Sequence, residues 1–413
     1  MSDPADATIA SRPNTISNAM QLALLCLIVF TPSALRYLFN MSSFAPGVAA
    51  VALLVWGGGI IGIIDGPRTS GARHMAAVLI SCGLITAHIA LTYVLGEPDL
   101  ERPLTSLLLL TFILLASRQV GHTLFAVEAN HRFVLYAMLL IFALIAVLGL
   151  LGIAPPSVAA SERPLFPFTE PSHYAFTVMP FLIYAVVTSS QVLRLVILAI
   201  VAVAVILLKS LSLAIGLVLA GACCLNGIAL AIFLLISAIG VSVVDLSYFT
   251  DRLDFSYANE NLSMLVYRQG SELMGKSLTE TWGWGIGFQR LGFTDLFTVS
   301  SNIIYALTHE DLNLRDGGFT TAKMITEFGV AGLVLIIIYL AVMIRCIMML
   351  RRLAGRRASL PDGVVFALSC FVGFAIELFV RGAGYFTSTA LMAVAALPYI
   401  RSVYRKTTSH AEI

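Results

Sequence analysis

The chain has 413 residues, of which 59% are hydrophobic and 12% are charged, and its mean hydropathy is +0.92. Soluble proteins carry about 25% charged residues, so this composition excludes an ordinary soluble fold and predicts a polytopic membrane protein. The net charge of +2, without a basic tract outside short loops, excludes nucleic acid as a partner. All six cysteines lie in apolar stretches, so neither a disulfide framework nor a zinc site is expected.

The hydrophobic pattern predicts an all-α, polytopic transmembrane helical bundle of about twelve spans, since each span needs about 20 apolar residues. The predicted spans lie near residues 19–39, 44–64, 75–95, 104–117, 133–153, 173–189, 192–208, 210–225, 226–244, 324–348, 364–380 and 387–400. The run from Leu193 to Val244 fits either three spans or two spans with a re-entrant segment.

Basic residues in the short loops predict the orientation of the chain, because such residues concentrate on the cytoplasmic side. With a cytoplasmic N-terminus, that side carries Arg68, Arg73, Arg118, Arg132, Arg194, Arg351, Arg352, Arg356, Arg357, Arg401, Arg405 and Lys406. Both termini are then cytoplasmic. Three regions follow: residues 1–244 with about nine spans, a periplasmic loop at 245–323 with short helices, and residues 324–413 with the last spans and a cytoplasmic tail.

The long periplasmic loop is rich in cations, although positively charged residues are normally scarce on that side of the membrane. An anionic partner is therefore expected. These cations are Arg252, Arg268, Lys276, Arg290, Arg315 and Lys323. Within the loop, the stretch Asn261 to Thr279 has the spacing of an amphipathic helix lying on the membrane surface. Alternatively, Arg268 only forms a helical ion pair with Glu272, four residues away.

Two further motifs lie in the same loop. Trp282-Gly-Trp-Gly-Ile-Gly287 predicts either a glycine turn anchored at the membrane interface by tryptophans or a backbone that closely approaches a ligand. The run from His309 to Gly318 combines an imidazole, carboxylates and Arg315, which together can supply a proton acceptor and anion clamps. Its spacing is poor for a metal site, so no metal or other cofactor is expected.

Charged residues near the outer ends of other spans are further candidates. Glu170, followed by Pro171, either caps the sixth span or accepts a hydrogen bond from a substrate hydroxyl, because the helix dipole favours its ionised form. Lys209, Glu377 and Arg381 lie close to hydrocarbon, where ionisable groups are costly unless they are paired or functional. Glu377 and Arg381, four residues apart, either pair with each other or leave Arg381 for an anion.

In their order along the chain, these motifs resemble the O-antigen polymerase and ligase superfamily, most closely the Wzy-type polysaccharide polymerases. The resemblance covers roughly the C-terminal two-thirds of the chain, and its specificity lies in motif order. The residues that carry it are Glu170-Pro171-Ser172, Arg268 before the Trp282–Gly287 turn, His309 with Gly317, Glu327-Phe-Gly329-x-x-Gly332, and Arg381-Gly-x-Gly-Tyr385-Phe.

The resemblance implies a GT-C-like membrane glycosyltransferase of the bacterial inner membrane that works without a metal on sugars carried by undecaprenyl pyrophosphate. Cations would stabilise the departing pyrophosphate, and a base would activate the attacking hydroxyl. The implied bases are His309, Glu170 and Asp316, with the choice between them open. The implied pyrophosphate and sugar ligands are Arg268, Arg290, Arg381, Arg252, Arg315, Lys209, His173 and Tyr385.

The expected reaction is polymerisation of lipid-linked repeat units into O-antigen, capsule or exopolysaccharide, by inverting direct displacement. Expected partners are the undecaprenyl-pyrophosphate-linked oligosaccharide, membrane lipid, a chain-length regulator and a flippase. The alternatives are a ligase that transfers glycan to lipid A core and a flippase or transporter. A transporter predicts polar sites near the bilayer midplane and often two similar halves, whereas this chain has no evident internal repeat and gathers its polar residues on one side.

Overall fold

The computed structural model describes residues 15–60, 71–95, 100–126, 131–157, 165–231, 233, 256, 261–309, 314–355 and 360–409. These residues are mostly helical and form no β-strand, and their only ladder pairing is an isolated bridge between Leu165 and Phe168. The all-α prediction is therefore confirmed for the described residues.

Within the described residues, eight helices with defined bounds come before the long loop, residues 227–231 and 233 are helical as well, and a short π-helical turn at His122–Ala126 follows the fourth helix. The eight helices are α1 (Thr15–Phe39), α2 (Ala45–Ile60), α3 (Ala72–Leu95), α4 (Glu101–Gly121), α5 (His131–Leu150), α6 (Pro171–Thr188), α7 (Gln191–Leu208) and α8 (Leu211–Cys224). The loop contributes α9 (Leu262–Glu280) and α10 (Val299–Thr308), so the helix predicted from Asn261 is confirmed. The last part contains α11 (Thr320–Ala354), α12 (Asp362–Gly373), α13 (Ala375–Phe379) and α14 (Ser388–Ser409).

Seven of the described helical segments are long and apolar enough to cross a membrane, and α2 and α8 are shorter apolar helices. The protein is thus a helical membrane protein. The total of about twelve spans stays a prediction, and most of the predicted span at 226–244 lies outside the described residues.

The bundle has two ends, and contacts between helix termini identify which residues share each end. At one end, Tyr37 near the end of α1 donates its hydroxyl to the carbonyl of Pro155 after α5, at 2.6 Å. At the other end, Arg132 at the start of α5 pairs with Asp362 at the start of α12, at 2.9 Å. Since α6 begins at Pro171, we call the first the Glu170 end and the second the opposite end.

Helix α6 is the central helix of the bundle, and every residue from His173 to Val187 is buried. It packs mainly against α8 and α12. Complete burial explains why this helix is hydrophobic all round and carries no charged side chain within its length. The groups at its ends are consequently held in fixed positions by the surrounding helices.

Helix α11 is interrupted at Gly329, whose φ of 59° and ψ of −134° are not helical. The backbone of the Trp282–Gly287 turn forms hydrogen bonds with the backbone of α11 on both sides of this break. The amides of Ile286 and Gly287 donate to the carbonyls of Thr326 and Glu327, and Val330 donates to the carbonyl of Gly283. Backbone groups that the helix leaves unpaired are therefore paired by the turn.

The close approach of this turn to α11 explains why the turn contains three glycines. Gly283, Gly285 and Gly287 all have positive φ, and a Cβ at Gly285 would overlap the carbonyl oxygen of Glu327. The structure therefore shows a turn that approaches a helix backbone, which accounts for the glycines without a ligand. Trp282 is 91% exposed, as an anchoring side chain at an interface requires.

Candidate functional site

The centre of the candidate site is a carboxylate, an imidazole and a guanidinium at the Glu170 end of the bundle. Glu170 Oε1 lies 2.8 Å from His173 Nε2 and 3.1 Å from Arg381 Nη2. His173 is held from its other side by Thr169, whose Oγ1 is 2.8 Å from His173 Nδ1. Glu170 precedes the first turn of α6 but makes no capping hydrogen bond with its side chain, so the interpretation that it merely caps the helix is wrong.

The two charged partners stabilise each other's ionised forms. Burial alone would raise the pKa of the Glu170 carboxyl, but Arg381 and His173 together hold that pKa well below its usual range. In return, the negative charge of Glu170 raises the pKa of the Arg381 guanidinium. Both groups are consequently charged at neutral pH, and Glu170 acts as a hydrogen-bond acceptor.

The turn after α13 positions Arg381. The amide of Gly382 donates to the carbonyl of Gly318 at 3.1 Å, which joins this turn to the end of the long loop. Asp316 lies against this turn, since a Cβ built at Gly384 would be 3.4 Å from Asp316 Oδ1, at van der Waals contact. Asp316 is thereby brought close enough to act electrostatically on Arg381. Two of the three implied bases, Glu170 and Asp316, thus share this site.

Sequence analysis missed one cation of the site. Arg36, near the end of α1, acts electrostatically on Glu170, Asp316 and Arg381. Its guanidinium lies 4.6 Å from the centre of the Phe44 ring, and Phe44 also contacts His173. The Nε of Arg36 is buried, and within the described part of the chain it has no hydrogen-bond partner. In the sequence, Arg36 is an arginine near the end of an apolar span. The same pattern is typical of an arginine that extends to the lipid headgroups, so it does not by itself indicate a site residue.

Glu377 does not pair with Arg381, so that sequence-based alternative is wrong. The carboxylate is fully buried and accepts hydrogen bonds from Thr387 at 2.9 Å and from Thr389. These hydrogen bonds fix the start of α14 against α13. Arg381 pairs with Glu170 instead. The physical reason is that the chain turns after α13, which carries Arg381 away from the helical position four residues beyond Glu377.

Tyr385 lies next to this turn but binds a second carboxylate. Its hydroxyl donates to Glu327 Oε2 at 2.7 Å, and Glu327 also accepts from the amides of Gln289 and Leu291 and pairs with Lys323 at 3.5 Å. Glu327 is fully buried. This cluster joins the loop, α11 and the Arg381 turn, so the structure gives Tyr385 a positioning contact.

Arg268 belongs to another part of the structure. Its Nε donates to Glu272 at 3.1 Å, and Glu272 also accepts from the amide of Ser300, at the start of α10. Gly270 packs against the carbonyl of Gly317. Because residues two apart on a helix point about 200° apart, Arg268 and Gly270 occupy opposite faces of α9. The helical ion pair with Glu272, one of the two alternatives for Arg268, is confirmed.

The remaining predicted site residues are dispersed. His309 is an exposed residue that ends α10 with φ of 56°, and its ring contacts Tyr305. Arg290 donates to the carbonyl of Thr92 at 3.3 Å, and Arg315 stacks on Phe293. Lys209 is exposed after α7, and Arg252 lies outside the described residues. The expected convergence of the loop cations on a single site is therefore not observed for these residues.

The chain shows no significant similarity to a family model, to a curated protein or to a solved structure. Among the described residues, no group of three or more histidine, cysteine and acidic side chains is arranged to hold a metal ion. The chemistry available at the Glu170 end is that of two arginines, two carboxylates and a buried imidazole.

Proposed function

We propose that the protein is a polysaccharide polymerase that joins repeat units carried on undecaprenyl pyrophosphate, with its active site at the Glu170 end of the bundle. In this proposal, the Glu170 end faces the periplasm and both termini are cytoplasmic, as the distribution of basic loop residues favours. The site includes Glu170, Asp316, Arg381 and Arg36, with His173 as a positioning residue.

One observation carries the proposal. Arg36 has a buried N–H with no acceptor among the described residues, and it interacts electrostatically with Arg381, which is already paired with a carboxylate. An unsatisfied buried donor is costly and is explained most simply by a ligand that supplies the acceptor. Two guanidiniums at the same end of the bundle suit a pyrophosphate, since Arg binds phosphate oxygens with directed, charge-assisted hydrogen bonds.

The proposed reaction is a direct displacement. An acceptor hydroxyl bonds to the anomeric carbon while the bond between that carbon and the pyrophosphate oxygen breaks, and the lipid pyrophosphate leaves with the electron pair. Arg36 and Arg381 stabilise the negative charge that develops on this leaving group. Glu170 accepts the hydroxyl hydrogen through Oε2, to which no described side chain donates, because its bonds to His173 and Arg381 both use Oε1.

The test is elongation by purified protein in lipid nanodiscs, with a lipid-pyrophosphate-linked repeat unit as the substrate and product length read on a gel. We expect Glu170→Gln to remove polymer, because the amide keeps the shape of the side chain but cannot accept the proton. Ser271→Ala, an exposed change on α9, is the matched control. Normal product length with Glu170→Gln would contradict the proposal.

A cellular experiment separates the polymerase from the ligase. Deletion of the gene for a polymerase leaves single repeat units attached to the cell surface, whereas deletion for a ligase removes all attached polysaccharide. Unchanged surface polysaccharide would refute both enzymes and favour transport of another substrate.

A further inference from the structure

A large cavity lies at the opposite end of the bundle, far along the helices from Glu170. Its volume is about 930 Å³, and it is lined by the last turns of α6, α8 and α11 and the first turns of α7 and α12. None of its lining residues belongs to the candidate site described above. The cavity therefore needs an explanation of its own.

The charged residues that line the cavity are mostly cations. Four arginines face a single carboxylate, so the lining carries a net charge of +3; they are Arg132, Arg194, Arg351 and Arg352, with Asp362 as the acid. Asp362 is already paired with Arg132 at 2.9 Å. The other three arginines have no ion pair with any residue that the structure describes.

Arg194 has a structural role in the cavity wall. It is only 8% exposed, and its guanidinium donates to the carbonyls of Val186, Ser189, Cys224 and Ala354 at 2.7 to 3.3 Å. These carbonyls end α6, α8 and α11, where helix dipoles place partial negative charge. Arg194 thus joins three helix ends and offsets their charge, and all its donating nitrogens are engaged.

Arg351 and Arg352 are left to act on an occupant of the cavity. Both are exposed in the last turn of α11, and Arg351 is close enough to Cys224 to act on it electrostatically. The first turn of α7, capped by Ser190, adds a helix N-terminus with its partial positive charge to the same wall. Leu225, Leu353 and Leu360 make other parts of the wall apolar.

We propose that this cavity binds the phosphate headgroup of an anionic phospholipid, with Arg351 and Arg352 as the phosphate ligands. A bound phosphate needs cations that are not already paired, and a lipid also needs an apolar wall beside them. Both features occur here at the ends of transmembrane helices, which is the level of lipid headgroups. The inference is independent of the reaction proposed for the Glu170 end.

Native mass spectrometry of the full chain, released from detergent with phosphatidylglycerol or phosphatidylcholine added, tests the proposal. We expect phosphatidylglycerol to bind, and the double variant Arg351→Gln/Arg352→Gln to weaken its binding by at least about tenfold, since each arginine near a membrane surface contributes to anionic lipid binding. The double variant Arg351→Lys/Arg352→Lys keeps both charges and should retain most of the affinity.

Arg345→Gln is the matched control, because Arg345 is an exposed arginine on α11 that does not line the cavity. Equal binding of phosphatidylcholine, or an equal loss with Arg345→Gln, would overturn the proposal. A further arm adds inorganic phosphate as the competitor. Displacement of the lipid by phosphate at equimolar concentration would show a site for a free anion and would overturn the lipid assignment.

Discussion

Replacement of Arg36 by Gln separates ligand binding from folding, because this guanidinium makes no hydrogen bond to the described protein. The change removes its contact with the Phe44 ring, 4.6 Å away, and its electrostatic interactions with the charged groups of the site. The cation–π contact contributes about 0.5–2 kcal/mol, and burial of the guanidinium opposes its attraction to the two carboxylates, so the loss of stability should stay on the order of 2 kcal/mol. Arg381 differs, because it forms the ion pair with Glu170, and its removal would leave that carboxylate hydrogen-bonded only to His173 among the described side chains.

The expected effect on the reaction is larger. Hydrogen bonds to charged groups contribute about 1.5–3 kcal/mol, which corresponds to a fall in kcat/KM of about 10-fold to 150-fold. Because charge on the leaving pyrophosphate grows as the anomeric bond breaks, kcat should fall more than KM rises. Initial elongation rates in nanodiscs, measured over a range of donor concentrations, give both constants.

Arg401→Gln provides the control, since it removes the same charge from an exposed position at the opposite end of the bundle. We expect wild-type constants for this variant. If Arg36→Gln kept kcat/KM within twofold of wild type while the unfolding midpoint was unchanged, Arg36 would not bind the leaving group. The observation that carries the proposed function would then be lost.

Two further predictions concern stability. Gly329→Ala should lower the free energy of unfolding by several kcal/mol, because the residue has positive φ and a Cβ would overlap the carbonyl oxygen of Gly283. Gly275→Ala, in open space on α9, is the control and should raise the free energy of unfolding by up to about 1 kcal/mol. Equal effects of the two changes on thermal unfolding in detergent would show that the contact at Gly329 is unimportant. The pKa of Glu170 is depressed by folding, so the stability that its charge confers is present above its unfolded pKa of about 4.3 and is lost as the pH falls through the lower folded pKa. The difference in unfolding midpoint between wild type and Glu170→Gln should therefore be constant near neutral pH and shrink in acid, and a difference that grew in acid would contradict the ion pair with Arg381.

Local patterns in the sequence determined the class of the protein and most of its helices. A run of apolar residues predicts a spanning helix without reference to the rest of the chain, because each helix satisfies its own backbone hydrogen bonds. The helix from Asn261 and the ion pair between Arg268 and Glu272 were likewise predictable, since partners four residues apart meet on one helix face. The Trp282–Gly287 turn was visible as a turn, but its partner was not.

Only the tertiary structure decided which charges meet. Glu170 and Arg381 are 211 residues apart, and nothing local distinguishes that pairing from the nearer alternative between Arg381 and Glu377. Arg36 escaped notice because an arginine at the end of a span can equally well reach for lipid headgroups. The break in α11 at Gly329 is likewise explained only by the Trp282–Gly287 turn, which is distant from it in sequence and pairs with the backbone on both sides of the break. Helix formation depends on neighbours along the chain, whereas ion pairing depends on which helix ends the packed bundle brings together.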